Sequence, residues 1–119
     1  SNSGPNYDQN SVAQTAHLLK DAGLSSRIMI DASHGNSRKN HLAQSTVVDD
    51  IYTQVSEGSH EIFGVMIESH LEEGKQSHSN LNSLKYGQSI TDACISWTQT
   101  EPLLEKLANA VLKKGKNPR

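Results

Sequence analysis

The chain has 119 residues and a formal net charge of -2, which is room for one ordinary domain and gives no electrostatic case for nucleic acid or an anionic membrane surface. Hydrophobic residues make up 34% and aromatics 4%, below the roughly 45–50% apolar share of a self-sufficient domain even with glycine added, so a missing partner or a missing piece is expected. No apolar run approaches the ~18 residues of a membrane span and no signal peptide is expected, while the single cysteine, Cys94, excludes an internal disulfide and fits a reducing, cytoplasmic setting.

In chain order, "SNS" at residues 1–3 reads as an expression-tag remnant, leaving 4–119 for the fold. Asn10 or Ser11 is a candidate cap for a helix reaching about Ala22, with Val12, Ala16 and Leu19 as its apolar stripe and Gly23 as its stop. Ile28 to Asp31 reads as a strand without polar alternation, the pattern of a parallel strand covered on both faces. A second helix is expected between about Lys39 and Glu57, on a stripe of Val48, Ile51, Tyr52 and Val55, with Gly58 ending it. Glu61 to Ile67 is a second buried strand. A loose, polar stretch from Gly74 to Ser89 follows, then a short turn or helix over Thr91 to Trp97. The last helix takes Thr98 or Thr100 as cap and tolerates Pro102 in its first turn. Leu103, Leu104, Leu107, Ala108 and Val111 form its expected buried face.

The order α-β-α-β-α with buried strands implies an α/β protein with a parallel sheet and right-handed crossovers. Two strands are too few for such a sheet, since both would be edges. The chain reads as an arc cut from a larger α/β protein, by design, proteolysis or gene truncation.

In parallel α/β folds chemistry gathers at the C-terminal ends of the strands. The first strand ends in "IDASHGNS" and the second in "IESH", and "SITDACISW" precedes the last helix. His34, Glu68 and Asp92 from these three stretches offer one imidazole and two carboxylates, a set suited to a divalent ion such as manganese, iron or cobalt. By spacing alone the signal is weak. A single His at a strand end is more often a structural hydrogen-bonding residue, and a single buried carboxylate is more often an ion-pair partner. His17 and His41 on helices read as solvated, and His60 and His78 as loop residues without a ligand set. Lys113, Lys114 and Lys116 read as a solvated run complementing a helix C-terminus.

"IMIDASHGNS", "GVMIESHLEEG" and "YGQSITDACISW", with "GPNYD" near the start and "LANAV" near the end, resemble the last part of the type I 3-deoxy-D-arabino-heptulosonate 7-phosphate synthases (DAHP synthases). The resemblance runs from Gly4 to the basic tail. It implies the C-terminal arc of a (β/α)8 TIM barrel, with Ile28 and Ile62 opening the seventh and eighth strands. It further implies an enzyme that joins phosphoenolpyruvate to erythrose 4-phosphate and releases phosphate, at the head of aromatic amino-acid biosynthesis. The implied mechanism has C3 of phosphoenolpyruvate attack the aldehyde, water add at C2, and C–O cleavage expel phosphate.

The resemblance assigns a divalent metal to His34, Glu68 and Asp92, with a fourth ligand, a cysteine of the first barrel strand, absent from this chain. Cys94 follows the ligand aspartate and is expected beside the site rather than in the missing cysteine's place. His70 is either a second neighbour of Glu68 or a surface loop residue. The cationic residues that hold both phosphates belong to earlier strands, and the three arginines here, Arg27, Arg38 and Arg119, match none of them. The isolated chain is therefore expected to be inactive, and to form homo-oligomers or to associate with the missing barrel part. The alternative is a non-catalytic metal-binding or structural module derived from such an enzyme.

Overall fold

The structure, a computed structural model, describes residues 4–116. The expected tag remnant at 1–3 and the end of the basic tail, 117–119, lie outside the described residues. The chain is α/β, in the order α1 (Gln9–Asp21), β1 (Ile28–Asp31), α2 (Gln44–Ser56), β2 (Ile62–Met66), β3 (Ser69–His70), β4 (Ile95–Ser96) and α3 (Trp97–Lys116).

The N-cap of helix α1 lies two to three residues before the expected Asn10 or Ser11. Asp8 is the N-cap, and its carboxylate accepts hydrogen bonds from the Ser11 N–H at 3.1 Å and the Ser11 hydroxyl at 2.6 Å. A carboxylate serves better here than Ser11 because its charge also meets the positive end of the helix dipole. The Ser11 bonds hold the Asp8 carboxyl below its ordinary pKa. Gly23, at φ +74°, follows the helix as expected.

Strands β1 and β2 pair in parallel, with α2 as the crossover between them. The register sets Met29 opposite Gly64, Ile30 opposite Val65 and Asp31 opposite Met66, with an irregularity after Ile28. Gly64 leaves room for Met29, since a Cβ there would lie 3.0 Å from the Met29 methyl. Helix α2 packs on α3. The core is one cluster that includes Val12, Ile30, Ala32, Val47, Val48, Ile51, Val55, Ile62, Ile95 and Leu103. Fully burying a side chain such as Ile51 contributes about 1.5–3 kcal/mol.

The strands, patterned for cover on both faces, leave Met29 57% and Phe63 53% exposed, the loss of cover expected of an arc cut from a larger sheet. Several other expectations are corrected. Helix α2 starts at Gln44 rather than Lys39, since His34, Arg38 and Lys39 take positive φ and the chain runs through turns and a 3-10 turn at His41–Ala43. The stretch expected as a turn or helix near Trp97 contains β4, paired in parallel with β3, so two short strands join the expected five elements. At the start of α3 the cap is Ser96, not Thr98 or Thr100. The Gln99 N–H donates to Ser96 Oγ at 3.2 Å, and the Ser96 N–H donates to Gln99 Oε1 at 2.7 Å, a reciprocal capping box. Pro102 consequently sits in the second turn. Leu104, Ala108 and Val111 are exposed, while Leu103 and Ala110 are buried.

The radius of gyration is 16.4 Å, against about 13 Å for a compact domain of this length. The principal extents of 53 × 31 × 19 Å describe a thin slab. No helix among the described residues is long and apolar enough to cross a membrane.

Candidate functional site

Three segments meet beyond the C-terminal ends of β1 and β2. His34 stands three residues past β1 at φ +48°, a conformation that a non-glycine residue adopts only when its surroundings hold it. The hold is visible. Asp31, the last residue of β1, accepts the Ser33 N–H on Oδ1 at 2.8 Å and lies 2.8 Å from His34 Nδ1 through Oδ2. Its carbonyl accepts the Asn36 side-chain amide at 2.8 Å. One aspartate thus shapes the turn and orients the imidazole, leaving Nε2 to face outward.

His34 Nε2 lies 2.8 Å from Glu68 Oε1 and 3.6 Å from Asp92 Oδ2. One ligand atom from each of the three residues falls within 4.8 Å of the others, the one such group of metal-binding type among the described residues. The Asp31 hydrogen bond, followed by the negative charges of Asp31, Glu68 and Asp92, raises the His34 pKa above its ordinary value. Asp31, Glu68 and Asp92 thus bring three carboxylates around one imidazole.

Glu68 enters from the segment between β2 and β3, with its side chain 19% exposed. Its carbonyl accepts the Ile95 N–H at 3.1 Å, which ties it to β4. Gln44, wholly buried at the start of α2, bonds both polar groups of the Glu68 main chain. Asp92 rides on a loop braced by the 74–76 segment. Gly74 and Cys94 exchange N–H to O bonds of 2.8 and 3.2 Å, and the Gln76 N–H donates to Ser89 O at 2.8 Å. A cleft of about 220 Å³ opens over the group, lined also by Ser33, Ser37, Lys39, His41 and Lys75.

Cys94 lies beside the group. Its Sγ–H contacts the Asp92 carbonyl at 3.6 Å, and burial pushes its thiol pKa up, against a thiolate. His70 is exposed in β3, where its Nδ1 accepts the Leu71 N–H at 2.8 Å, and it does not line the cleft. His41, expected to be solvated, has a side chain only 19% exposed and bonds Glu73 at 3.1 Å. That contact and the Gln99 amide lower the Glu73 pKa. His17 is exposed beside Asp21, and His60 and His78 are exposed. Lys113 is not simply solvated, since its ammonium stands 4.9 Å from the Tyr52 ring centre. A larger groove of about 500 Å³ between α2 and α3 is lined by Tyr52, Lys106 and Lys113. Lys106 and Lys113 are engaged by Asp49 and the Tyr52 ring, away from the group at the strand ends.

Asp31 and Gln44 are the positions that motif spacing leaves without a role. For Gln44 a signal exists: it falls on the stripe of Val47, Val48 and Ile51, and a polar residue on a buried stripe implies a buried partner.

Residues 2–105 match the sequence profile described as the DAHP synthetase I family. A tyrosine-inhibited phospho-2-dehydro-3-deoxyheptonate aldolase of Schizosaccharomyces pombe is 52% identical over 118 residues, covering 96% of this chain and 32% of its own length. The Phe-sensitive phospho-2-dehydro-3-deoxyheptonate aldolase of Escherichia coli is 50% identical over 107 residues, covering 90% and 31%. The solved structure of a phospho-2-dehydro-3-deoxyheptonate aldolase from Francisella tularensis superimposes with a TM-score of 0.90 at 45% identity, over 94% of this chain and 32% of that one. The chain spans about a third of the length of the relatives it matches.

Proposed function

The chain belongs to the DAHP synthetase I family, and we propose that it supplies the C-terminal arc, and three metal-holding residues, of a (β/α)8 barrel that condenses phosphoenolpyruvate with erythrose 4-phosphate. In that barrel β1 and β2 stand as the seventh and eighth strands. The observation that carries this reading is the convergence of His34 Nε2, Glu68 and Asp92 within 4.8 Å.

The donor set fits a divalent ion of the manganese, iron or cobalt type: one imidazole nitrogen and two carboxylates. Asp31 occupies His34 Nδ1, the outer-shell partner that a ligating imidazole usually has. A fourth ligand, the cysteine of an earlier strand, comes from outside this chain. A divalent ion held here supplies Lewis acidity toward a carbonyl or water oxygen. Asp31 keeps the His34 proton on Nδ1, so that Nε2 presents its lone pair. Glu68 and Asp92 balance the cation's charge, and a free Asp92 oxygen accepts a hydrogen bond from a substrate hydroxyl. Lys39 and Lys75 border the cleft and offer positive charge to an anionic substrate. The exposed sheet face around Met29 and Phe63 is covered by the rest of the barrel or by a second copy of the chain. The single cysteine suits a reducing, cytoplasmic setting.

The test uses the full-length protein that contains this chain. Stripped with EDTA and reloaded with manganese, it consumes phosphoenolpyruvate only when erythrose 4-phosphate is present, and His34→Ala or Glu68→Gln abolishes the restored activity. Undiminished activity in both variants defeats the reading. Manganese binding without erythrose-dependent turnover supports the non-catalytic module instead.

A further inference from the structure

Gln44 is a polar side chain with no exposure, in a core otherwise built of Val47, Val48 and Ile51. Its amide is spent on one residue. Oε1 accepts the Glu68 N–H at 2.9 Å and Nε2 donates to the Glu68 carbonyl at 3.0 Å. The pair repeats what a neighbouring strand gives a residue in a sheet ladder, one donor and one acceptor to the same main chain. Glu68 has passed the end of β2 and has no ladder partner on that side. Its carbonyl is also held by the Ile95 N–H at 3.1 Å. With both backbone groups fixed, the Glu68 side chain leaves in one direction, toward His34 Nε2 at 2.8 Å.

We infer that Gln44 is a positioning residue that aims the Glu68 carboxylate into the metal group by clamping the Glu68 main chain. The inference rests on the reading of Glu68 as a metal ligand. The chemistry demands glutamine. Asparagine is one methylene too short to reach from the helix start, ionised glutamate has no donor for the Glu68 carbonyl, and methionine has neither group. Losing the clamp leaves a buried N–H without an acceptor, and the Glu68 peptide is free to rotate. Outer-shell partners of metal ligands typically change affinity by about 10–100-fold when removed.

The experiment compares Gln44→Met and Gln44→Glu with the parent in the full-length protein. It reads manganese affinity by electron paramagnetic resonance of the free ion and the visible d–d spectrum of the cobalt-loaded protein. Both variants are expected to bind manganese about 10–100-fold more weakly and to shift the cobalt bands, with the KM for phosphoenolpyruvate at saturating metal unchanged. Glu68→Gln is run beside them. If Glu68→Gln leaves affinity and spectrum intact, the ligand reading fails. If Glu68→Gln loses the metal while both Gln44 variants keep parental affinity and spectrum, the positioning role fails. Loss of the folded near-ultraviolet dichroism in both variants assigns Gln44 to the fold at large and also overturns it.

Discussion

Replacing Asp31 by asparagine should cost metal affinity without disturbing the fold, and the reason lies in where one proton sits. Asp31 Oδ1 accepts the Ser33 N–H at 2.8 Å, while Oδ2 faces His34 Nδ1 at 2.8 Å. In Asp31→Asn the amide oxygen stays on the Ser33 N–H, because turning it would set an NH2 group against that donor. The amide nitrogen then faces His34 Nδ1 and can only donate to it. Nδ1 becomes the acceptor and the imidazole proton is held on Nε2, so that an ion must displace it before Nε2 can ligate. The neutral amide also removes one negative charge from the rim. Outer-shell changes of this kind cost about 10–100-fold in affinity, or about 1.4–2.8 kcal/mol. Isothermal titration of the stripped full-length protein with manganese reads the loss, and far-ultraviolet dichroism checks the fold. Parental affinity in a folded Asp31→Asn protein would refute the claim that Asp31 sets the tautomer of a ligating His34.

Ile51, fully buried on α2, should cost about 2–5 kcal/mol when cut to alanine, read by urea unfolding of the full-length protein; a loss under 1 kcal/mol would mean that α2 is not central to the core. Asp8→Ala should remove about 0.5–2 kcal/mol at pH 7. Because the folded Asp8 pKa is depressed, its contribution is present above the ordinary 3.8 and is lost as pH falls through the folded value. The gap between parent and variant should therefore close in acid, and a pH-independent gap would contradict the cap's charge. The isolated chain should associate rather than remain monomeric, since Met29 and Phe63 on the sheet and Leu104 and Val111 on α3 lie open. Light scattering after size-exclusion at micromolar concentration decides, and a sharp monomer peak with cooperative melting would count against this. The same chain should show no erythrose-dependent consumption of phosphoenolpyruvate.

The strands were legible because buried parallel strands are short apolar runs, and β1 begins and ends where "IMID" does. Helix stripes were legible where both neighbours lie in the chain, as for Val48, Ile51 and Val55. The α3 stripe was only half legible. Leu104 and Val111 have apolar side chains but face away from the described core, and periodicity does not say which partner covers a face. The start of α2 was misplaced because positive φ at His34, Arg38 and Lys39 leaves no mark on hydrophobic spacing. Strands of two residues, β3 and β4, fall below any pattern, since their pairing is fixed by tertiary neighbours. The site's three outer residues were named by motif, but the Asp31 and Gln44 contacts were not. Side chains that act on a ligand through its ring or its main chain carry no spacing of their own.

The most direct measurement is a crystal structure of the full-length protein grown with manganese, with anomalous scattering used to locate the ion. The account predicts one anomalous peak at the C-terminal ends of β1 and β2, within direct bonding distance of His34 Nε2 and of carboxylate oxygens of Glu68 and Asp92. A peak elsewhere, or one from which any of these three side chains turns away, would contradict it.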